Sequence, residues 1–266
     1  MGEAIVITSG KGGVGKSTTS ANVGTALALM DKKVCLIDTD IGLRNLDVMM
    51  GLENRIIYDI VDVIEGRCRL HQALIRDKRF DYLSLLPAAQ TTDKSAITAD
   101  GMRAIVTGLK QDYDYIIIDC PAGIEQGFQN AIAGADRAIV VTTPEKSSVR
   151  DADRIIGLLE QNDEIERPSL IINRIRKHMI DSGDMLEIDE IVQILSIDLI
   201  GIVLDDDKVI KSSNDGEPIV MDPSLKSSIA YRNIARRILG ETVPLQSLEE
   251  ESNKGILGKM KSFFGF

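Results

Sequence analysis

The sequence is poor in cysteine and histidine, the residues that form disulfides and most zinc sites. Its 266 residues include three widely spaced cysteines, Cys35, Cys68 and Cys120, and two histidines. An odd, scattered cysteine set argues against a disulfide framework and a zinc site, and it fits a reduced cytosolic setting. Because no ligand set surrounds His71 or His178, we expect both to be structural residues.

Long apolar runs are also missing. No stretch approaches the roughly 18 apolar residues of a membrane-spanning helix, and the amino terminus leads directly into a strand-like run without the pattern of a signal peptide. No internal repeat or low-complexity tract is present. We therefore expect that no segment of the chain spans a membrane.

Excess positive charge is the third absence. Lys and Arg number 31 against 41 Asp and Glu, which gives a formal net charge of −10. This balance argues against a large non-specific contact with nucleic acid, and we expect no specific nucleic-acid partner. Hydrophobic residues make up 44% of the chain and charged residues 27%, proportions that indicate a globular protein with a sizeable core.

Short β-branched runs alternate with longer segments of helical period along the chain. This pattern predicts an α/β fold, a doubly wound and mainly parallel sheet of seven or eight strands with helices on both faces. The runs that we interpret as strands are 4–8, 34–38, 83–86, 115–119, 138–143, 170–173 and 200–204. The segments that we interpret as helices are 17–30, 59–65, 100–110, 148–161, 188–195 and 227–239.

A complete phosphate-binding loop, Gly-Lys-Gly-Gly-Val-Gly-Lys-Ser, occupies residues 10–17. It follows the first predicted strand and opens a helix, which is the context of a P-loop nucleoside triphosphatase. Its glycines let backbone N–H groups point at phosphate oxygens, and the helix dipole adds positive potential. Lys16 is predicted to neutralise the β- and γ-phosphates, and the Ser17 hydroxyl to ligate Mg²⁺. The predicted nucleotide contacts in this loop are Gly10, Lys11, Gly12, Gly13, Val14, Gly15, Lys16, Ser17 and Thr18.

Polar residues follow other predicted strands, at the edge of the sheet where ligands bind in such folds. Asp119 ends the apolar run Tyr-Ile-Ile-Ile-Asp, a form typical of the carboxylate that holds Mg²⁺ directly or through water. Asp38 and Asp40 follow the second strand, and we predict Asp38 in the metal shell and Asp40 orienting the attacking water. Asn173 and Arg174 end a later strand, where the amide could read a purine edge or simply form a turn.

Three features together resemble the MinD family of bacterial division-site ATPases, which belongs to the deviant Walker A group with the ParA partition ATPases. They are the second lysine of the loop, Lys11, the stretch Asp-Thr-Asp-Ile-Gly-Leu-Arg-Asn-Leu-Asp at 38–47, and Asp-Cys-Pro-Ala-Gly-Ile-Glu at 119–125. The resemblance implies hydrolysis of ATP with Mg²⁺, and a homodimer that sandwiches two nucleotides. It implies that Lys11 reaches the neighbouring subunit's phosphates and is catalytic with Lys16 and Asp40. It also places Asn45 and Asp151 near that interface.

The resemblance further implies partners and a location. The ATP-bound dimer would recruit the septum inhibitor MinC to anionic lipids on the cytoplasmic face of the cell membrane, and MinE or a polar landmark system could organise it. Two relatives remain as alternatives, a ParA-like partition ATPase and a flagellar-number regulator. The acidic net charge and the apolar residues at the carboxyl terminus count against the partition ATPase, while the sequence does not clearly distinguish a flagellar regulator. A nucleotide-gated scaffold with negligible turnover is the alternative outside the enzymes.

The carboxyl-terminal residues have the pattern of a basic amphipathic helix. We divide the chain into an ATPase domain at 1–240, a linker at 241–253 and a membrane-targeting helix at 254–266. Because a single short helix binds weakly, a dimer that presents two would bind much better. The alternative is a helix docked on the protein's own core or on a partner. The apolar residues fall in one stripe and the lysines outside it: Ile256, Leu257, Met260, Phe263 and Phe264 against Lys254, Lys259 and Lys261.

Overall fold

An eight-stranded sheet forms the centre of the molecule. The computed structural model describes residues 1–43, 45–90 and 96–246. The strands are β1 (Glu3–Thr8), β2 (Val34–Asp38), β3 (Ile75–Arg76), β4 (Leu83–Leu86), β5 (Tyr115–Asp119), β6 (Arg137–Thr142), β7 (Ser169–Ile175) and β8 (Asp198–Leu204). Their order in the sheet is β3-β4-β2-β5-β1-β6-β7-β8. Every pairing in this sheet is parallel except that of β3 with β4.

Helices connect the strands and cover both faces of the sheet. They are α1 (Lys16–Ala28), α2 (Asn45–Met49), α3 (Ile60–Ile64), α4 (Leu70–Ala73), α5 (Ala99–Leu109), α6 (Gln126–Ile132), α7 (Lys146–Leu159), α8 (Lys177–Asp181), α9 (Ile188–Leu195), α10 (Asp207–Asn214) and α11 (Lys226–Ile238), with 3₁₀ turns at Glu53–Arg55 and Ile219–Met221. In the described ranges, none of these helices has the length and apolarity needed to cross a lipid bilayer.

The strands are buried on both faces, and their alternate side chains enter two separate cores. From β1, Ala4 and Val6 pack into the core beneath α5, α6 and α7. Ile5 and Ile7, which point the other way, pack with α1 and α11. A central parallel strand covered on both sides reads as a continuous apolar run, which is why β1, β5 and β6 were predictable from sequence.

The predicted fold class is confirmed, and each of the seven predicted strands is present with its ends shifted by at most two residues. The eighth strand, β3, was missed because it is two residues long and pairs antiparallel at the sheet edge. The predicted end of a strand at Asn173 is wrong, since β7 continues to Ile175. The predicted tail helix lies outside the described residues. The division into domain, linker and tail therefore stays a prediction.

Candidate nucleotide-binding site

The predicted site residues meet at the carboxyl edge of the sheet. The loop after β1 connects directly to α1. Asp119 of β5 is the register partner both of Ile7 in β1 and of Asp38 in β2. The parallel pairing of three neighbouring strands thus places both aspartates beside the glycine-rich loop, as the rule for parallel sheets predicts.

Backbone geometry explains the glycines of the loop. Gly13 and Gly15 have φ of 80° and 96°, conformations that side chains disfavour. Gly10 packs against α7, where a Cβ atom would lie 2.2 Å from the carbonyl oxygen of Asp151. In the described part of the chain, no side chain caps the first turn of α1, and that turn contains no acidic residue. Its N–H groups are therefore available to an anion.

Lys16 and Ser17 lie next to Asp119 at the start of α1. Lys16 is buried, and its charge together with a hydrogen bond from Ser17 acts on the Asp119 carboxylate. Ser20 Oγ, one turn further along, donates to Asp119 Oδ1 at 2.8 Å. Burial nevertheless dominates and raises the pKa of Asp119 to about 6. The hydrogen bonds thus hold the carboxylate in place, but its neighbours do not fully balance its negative charge.

Asp38 faces the same space and is similarly buried. Burial, followed by the charge of Asp119, raises its pKa well above the usual range. Its Oδ1 accepts from the N–H of Asp40 at 2.9 Å, and its Oδ2 from the N–H of Leu46 at 3.3 Å. Two adjacent buried carboxylates beside a serine hydroxyl form an oxygen donor set that suits Mg²⁺. The residues present therefore fit the metal that the sequence predicts.

Asp40 lies half-buried in the loop after β2. Its negative charge contributes to the raised pKa of both Asp38 and Asp119, so its carboxylate is close to both. Its carbonyl oxygen accepts from the N–H of Leu43 at 3.3 Å, which keeps the loop turned back towards the site. The position suits the predicted orientation of a water molecule, which stays a prediction.

Lys11 points along its own chain towards the start of α7. Its Nζ lies 3.4 Å from Glu145 Oε2 and 3.2 Å from Ser147 Oγ, and its side chain is 44% exposed. Asn45 is exposed at the beginning of α2, and Asp151 is the residue of α7 that Gly10 contacts. Lys11 and Asp151 therefore lie at the phosphate loop, while the predicted position of Asn45 and Asp151 near a dimer interface, and the contact of Lys11 with a second subunit, stay predictions.

Asn173 braces the phosphate loop. Its amide nitrogen donates to the carbonyl oxygen of Val14 at 2.8 Å, and a Cβ on Gly15 would lie 2.3 Å from the same nitrogen. Arg174 has φ of 55° where the register between β7 and β8 shifts, and it is exposed. The predicted contact of these two residues with a purine base stays a prediction.

A cavity beside Asn173 is the candidate base site. Its volume is about 140 Å³, and it opens between the start of α1 and the segment that follows β8. Sequence reasoning missed this segment and Tyr231 of α11, although the rule that ligands bind after parallel strands could have pointed to residues after β8. The lining comprises Gly15, Thr18, Asn173, Arg174, Arg176, Val203, Leu204, Asp205, Asp206, Asp207, Val209, Ile210 and Tyr231.

Known proteins are similar to this chain in sequence and fold. Residues 2–172 match a family model described as an AAA domain. The chain is 72% identical over 266 residues to the septum site-determining protein MinD of Bacillus subtilis (strain 168), covering 100% of this chain and 99% of that protein. The MinC:MinD cell division protein complex of Aquifex aeolicus contains a similar chain, with a TM-score of 0.86, 51% identity, and coverage of 92% of this chain and 99% of that one.

Another relative provides a nucleotide-bound comparison. The septum site-determining protein MinD of Pyrococcus horikoshii OT3, complexed with Mg-ADP, has a TM-score of 0.81 and 27% identity. The match covers 90% of this chain and 96% of the Pyrococcus horikoshii chain. The likeness therefore extends over nine-tenths of this chain.

Proposed function

The chain belongs to the MinD family of septum site-determining proteins, and from this premise we propose that it is a Mg²⁺-dependent ATPase that dimerises on ATP and carries MinC to the membrane. The observation that carries the ATPase proposal is the convergence of an open phosphate loop with Lys16, Ser17 and two buried aspartates. That a relative was solved with Mg-ADP supports the same cofactors here.

Each residue has a distinct part in the proposed reaction. Backbone N–H groups of the loop and the first turn of α1 bind the phosphates, and Lys16 balances their charge. Ser17 and Asp119, with Asp38 close by, would hold Mg²⁺, which supplies Lewis-acid stabilisation of the phosphate oxygens when bound. Asp40 orients water for in-line attack on the γ-phosphate, and its negative charge favours release of the water's proton.

The proposed dimer would cover the edge that surrounds the nucleotide. Two apolar residues there are exposed, Leu43 by 63% after β2 and Ile124 by 50% after β5. Exposed apolar side chains beside a charged site favour burial against another surface. A second copy would cover them and would draw Lys11 from Glu145 towards the partner's phosphates, adding positive charge where negative charge develops.

Dimer formation would lead to membrane binding. The basic amphipathic pattern of 254–266 suits an anionic bilayer, and a dimer presents two such segments together. The Aquifex aeolicus relative was solved as a MinC:MinD complex, which supports MinC as the partner. The similarity to septum proteins over the full chain favours this role over a partition ATPase or a flagellar regulator.

Vesicle co-sedimentation tests the proposal. The full chain, and a matched chain ending at Asn253, are mixed with vesicles of anionic lipid in Mg-ATP or Mg-ADP. We expect the full chain to pellet with ATP and not with ADP, and the shortened chain to stay in solution in both. Phosphate release is measured in the same samples.

Two results would contradict the proposal. Equal pelleting with ADP and ATP would remove the nucleotide switch, and absence of pelleting with ATP would remove the membrane role. In the second case, a salt-sensitive mobility shift on duplex DNA would favour the partition ATPase instead. Membrane binding without phosphate release would favour the nucleotide-gated scaffold.

A further inference from the structure

Arg79 joins three parts of the chain that are distant in sequence. It lies in the loop between β3 and β4, where its Nε and Nη2 donate to the two carboxylate oxygens of Asp77 at 3.0 and 2.7 Å. Nη1 donates to the carbonyl oxygen of Gly216 at 2.8 Å, and Nη2 to that of Met50 at 2.5 Å. The ion pair with the buried carboxylate of Asp77 fixes the guanidinium in position. The two backbone carbonyls are its further partners.

One of these parts leads to the candidate base cavity. We call residues 205–216 the α10 segment, since it comprises α10 and the residues on either side. Its first half lines the cavity through Asp205, Asp206, Asp207, Val209 and Ile210. Its last residue is Gly216, the acceptor of Arg79. A base in the cavity would therefore touch the same segment that Arg79 holds.

The α10 segment meets the end of α2 backbone against backbone. A Cβ on Gly216 would lie 2.7 Å from the Cα of Gly51, and φ is 67° and 61° at the two glycines. Met50, whose carbonyl Arg79 also binds, immediately precedes this contact. Since no side chain separates the two segments, a displacement of one is passed to the other while Arg79 keeps them together.

The other end of α2 touches the predicted metal site. The N–H of Leu46, in the first turn of α2, donates to Asp38 Oδ2. The N–H of Asp40 holds the other oxygen of the same carboxylate. The position of α2 therefore helps to set the orientation of Asp38, and with it the loop that carries Asp40.

We propose that Arg79 is a positioning residue that couples the base cavity to the loop of Asp38 and Asp40. Because Arg79 holds the α10 segment against α2, a nucleoside base in the cavity orders the loop of Asp38 and Asp40, which lies on the other side of the phosphate loop. The inference rests on the proposed function for the identity of the ligand, a nucleoside diphosphate or triphosphate. It requires neither hydrolysis nor a second subunit.

The test compares Mg-ADP with Mg-pyrophosphate, which can fill the phosphate loop but has no base. Hydrogen exchange of peptides spanning 45–52 is followed in the full chain and in Arg79→Met, Arg79→Lys and Arg76→Met. Arg76 is the matched control, because among the described residues its Nη2 donates to the nearby carbonyl oxygen of Asp81 at 3.0 Å and not to α2 or the α10 segment. In the natural chain and the control, we expect ADP to slow exchange about tenfold more than pyrophosphate does.

In Arg79→Met and Arg79→Lys, we expect this extra protection to fall below about twofold, while pyrophosphate binds as before. ADP affinity should fall about fivefold in both, because the cavity wall is no longer held. Arg79→Lys keeps a positive charge beside Asp77 but cannot also donate to both backbone carbonyls. It therefore tests the same loss of extra protection if Arg79→Met folds poorly.

Unchanged extra protection in either Arg79 variant would overturn the proposal. An equal loss of ADP and pyrophosphate binding would also overturn it, since that pattern indicates general loosening instead of coupling. Neither ligand needs to be hydrolysed. A protein without turnover would contradict the proposed ATPase activity and leave the exchange pattern readable, so the two ideas fail separately.

Discussion

At the scale of single residues, Asp119 combines deep burial with a negative charge that its neighbouring side chains do not fully balance. Its pKa is raised to about 6 by burial, although Ser17, Lys16 and Ser20 act in the opposite direction. The folded state therefore holds the Asp119 proton more tightly than the unfolded chain does. The protonated Asp119 therefore contributes its full share to the free energy of unfolding below about pH 4, and this contribution is lost as the pH rises through about 6.

Replacing Asp119 by Asn should remove its own part of this loss of stability. We expect Asp119→Asn to make the ligand-free protein up to about 3 kcal/mol more stable at pH 7.5. Its stability should also fall less steeply between about pH 4 and 6, although the buried Asp38 still titrates with a raised pKa. Ser20 still finds an amide oxygen as acceptor. Urea unfolding at pH 5 and pH 7.5 measures the effect, with the exposed Asp112→Asn as control. An Asp119→Asn protein less stable than the natural chain at pH 7.5 would contradict this reasoning.

Lys11 allows a second prediction at this scale. Its contacts with Glu145 and Ser147 are exposed, so Lys11→Ala should leave the monomer's stability almost unchanged. If Lys11 acts on the partner's phosphates, turnover should fall about 10³-fold, in line with a cation supplied in trans. Sedimentation velocity with ATP should also show loss of the dimer. The exposed Lys78→Ala serves as control, and a dimer that persists with normal turnover would exclude the proposed role.

At the scale of elements, Asn22 ties α1 to the turn at Ile219–Met221. Its side-chain amide nitrogen donates to the carbonyl oxygen of Thr18 at 2.8 Å, and its oxygen accepts from the N–H of Val220 at 3.1 Å. Both Asn22 and Val220 are buried. The first turns of α1, which the phosphate loop enters, are thereby fixed to the region that precedes α11.

Substitution of Asn22 by Ala should destabilise the protein by about 1–3 kcal/mol, because the buried N–H of Val220 loses its acceptor. Urea denaturation measures the change. The control is Asn54→Ala, since Asn54 is exposed and its amide nitrogen, within residues 1–43, 45–90 and 96–246, donates to the adjacent Glu53 alone. A loss no larger than that of the control would mean that water or a backbone shift satisfies the Val220 N–H.

The parts of the fold that were predictable are those in which local pattern and burial agree. The central strands are apolar throughout, and a glycine-rich motif marks the loop between β1 and α1. β3 could not be predicted because its pairing, not its two residues, makes it a strand. The amide of Asn173 and the guanidinium of Arg79 find carbonyl partners over 100 residues away. No sequence spacing indicates such a contact.

At the scale of the whole molecule, the number of tails on one particle should decide membrane binding. We expect residues 247–266, fused to a dimeric carrier, to bind anionic vesicles about 10²-fold or more tightly than when fused to a monomeric carrier. Vesicle flotation across a lipid titration measures both. The matched control replaces Phe263 and Phe264 by Ser in the dimeric fusion. Equal binding by the monomeric fusion would show that valency is not the switch.

The bracing of the phosphate loop by Asn173 has a consequence for how the protein is made. The loop emerges among the first residues of the growing chain, but the amide that supports Val14 is added 159 residues later. The strand β6, which completes the pairing of β1, also arrives late. A ribosome-bound chain that ends before β7 should therefore retain no nucleotide. On the proposed function, ATP would become a ligand only after about two-thirds of the protein has been synthesised.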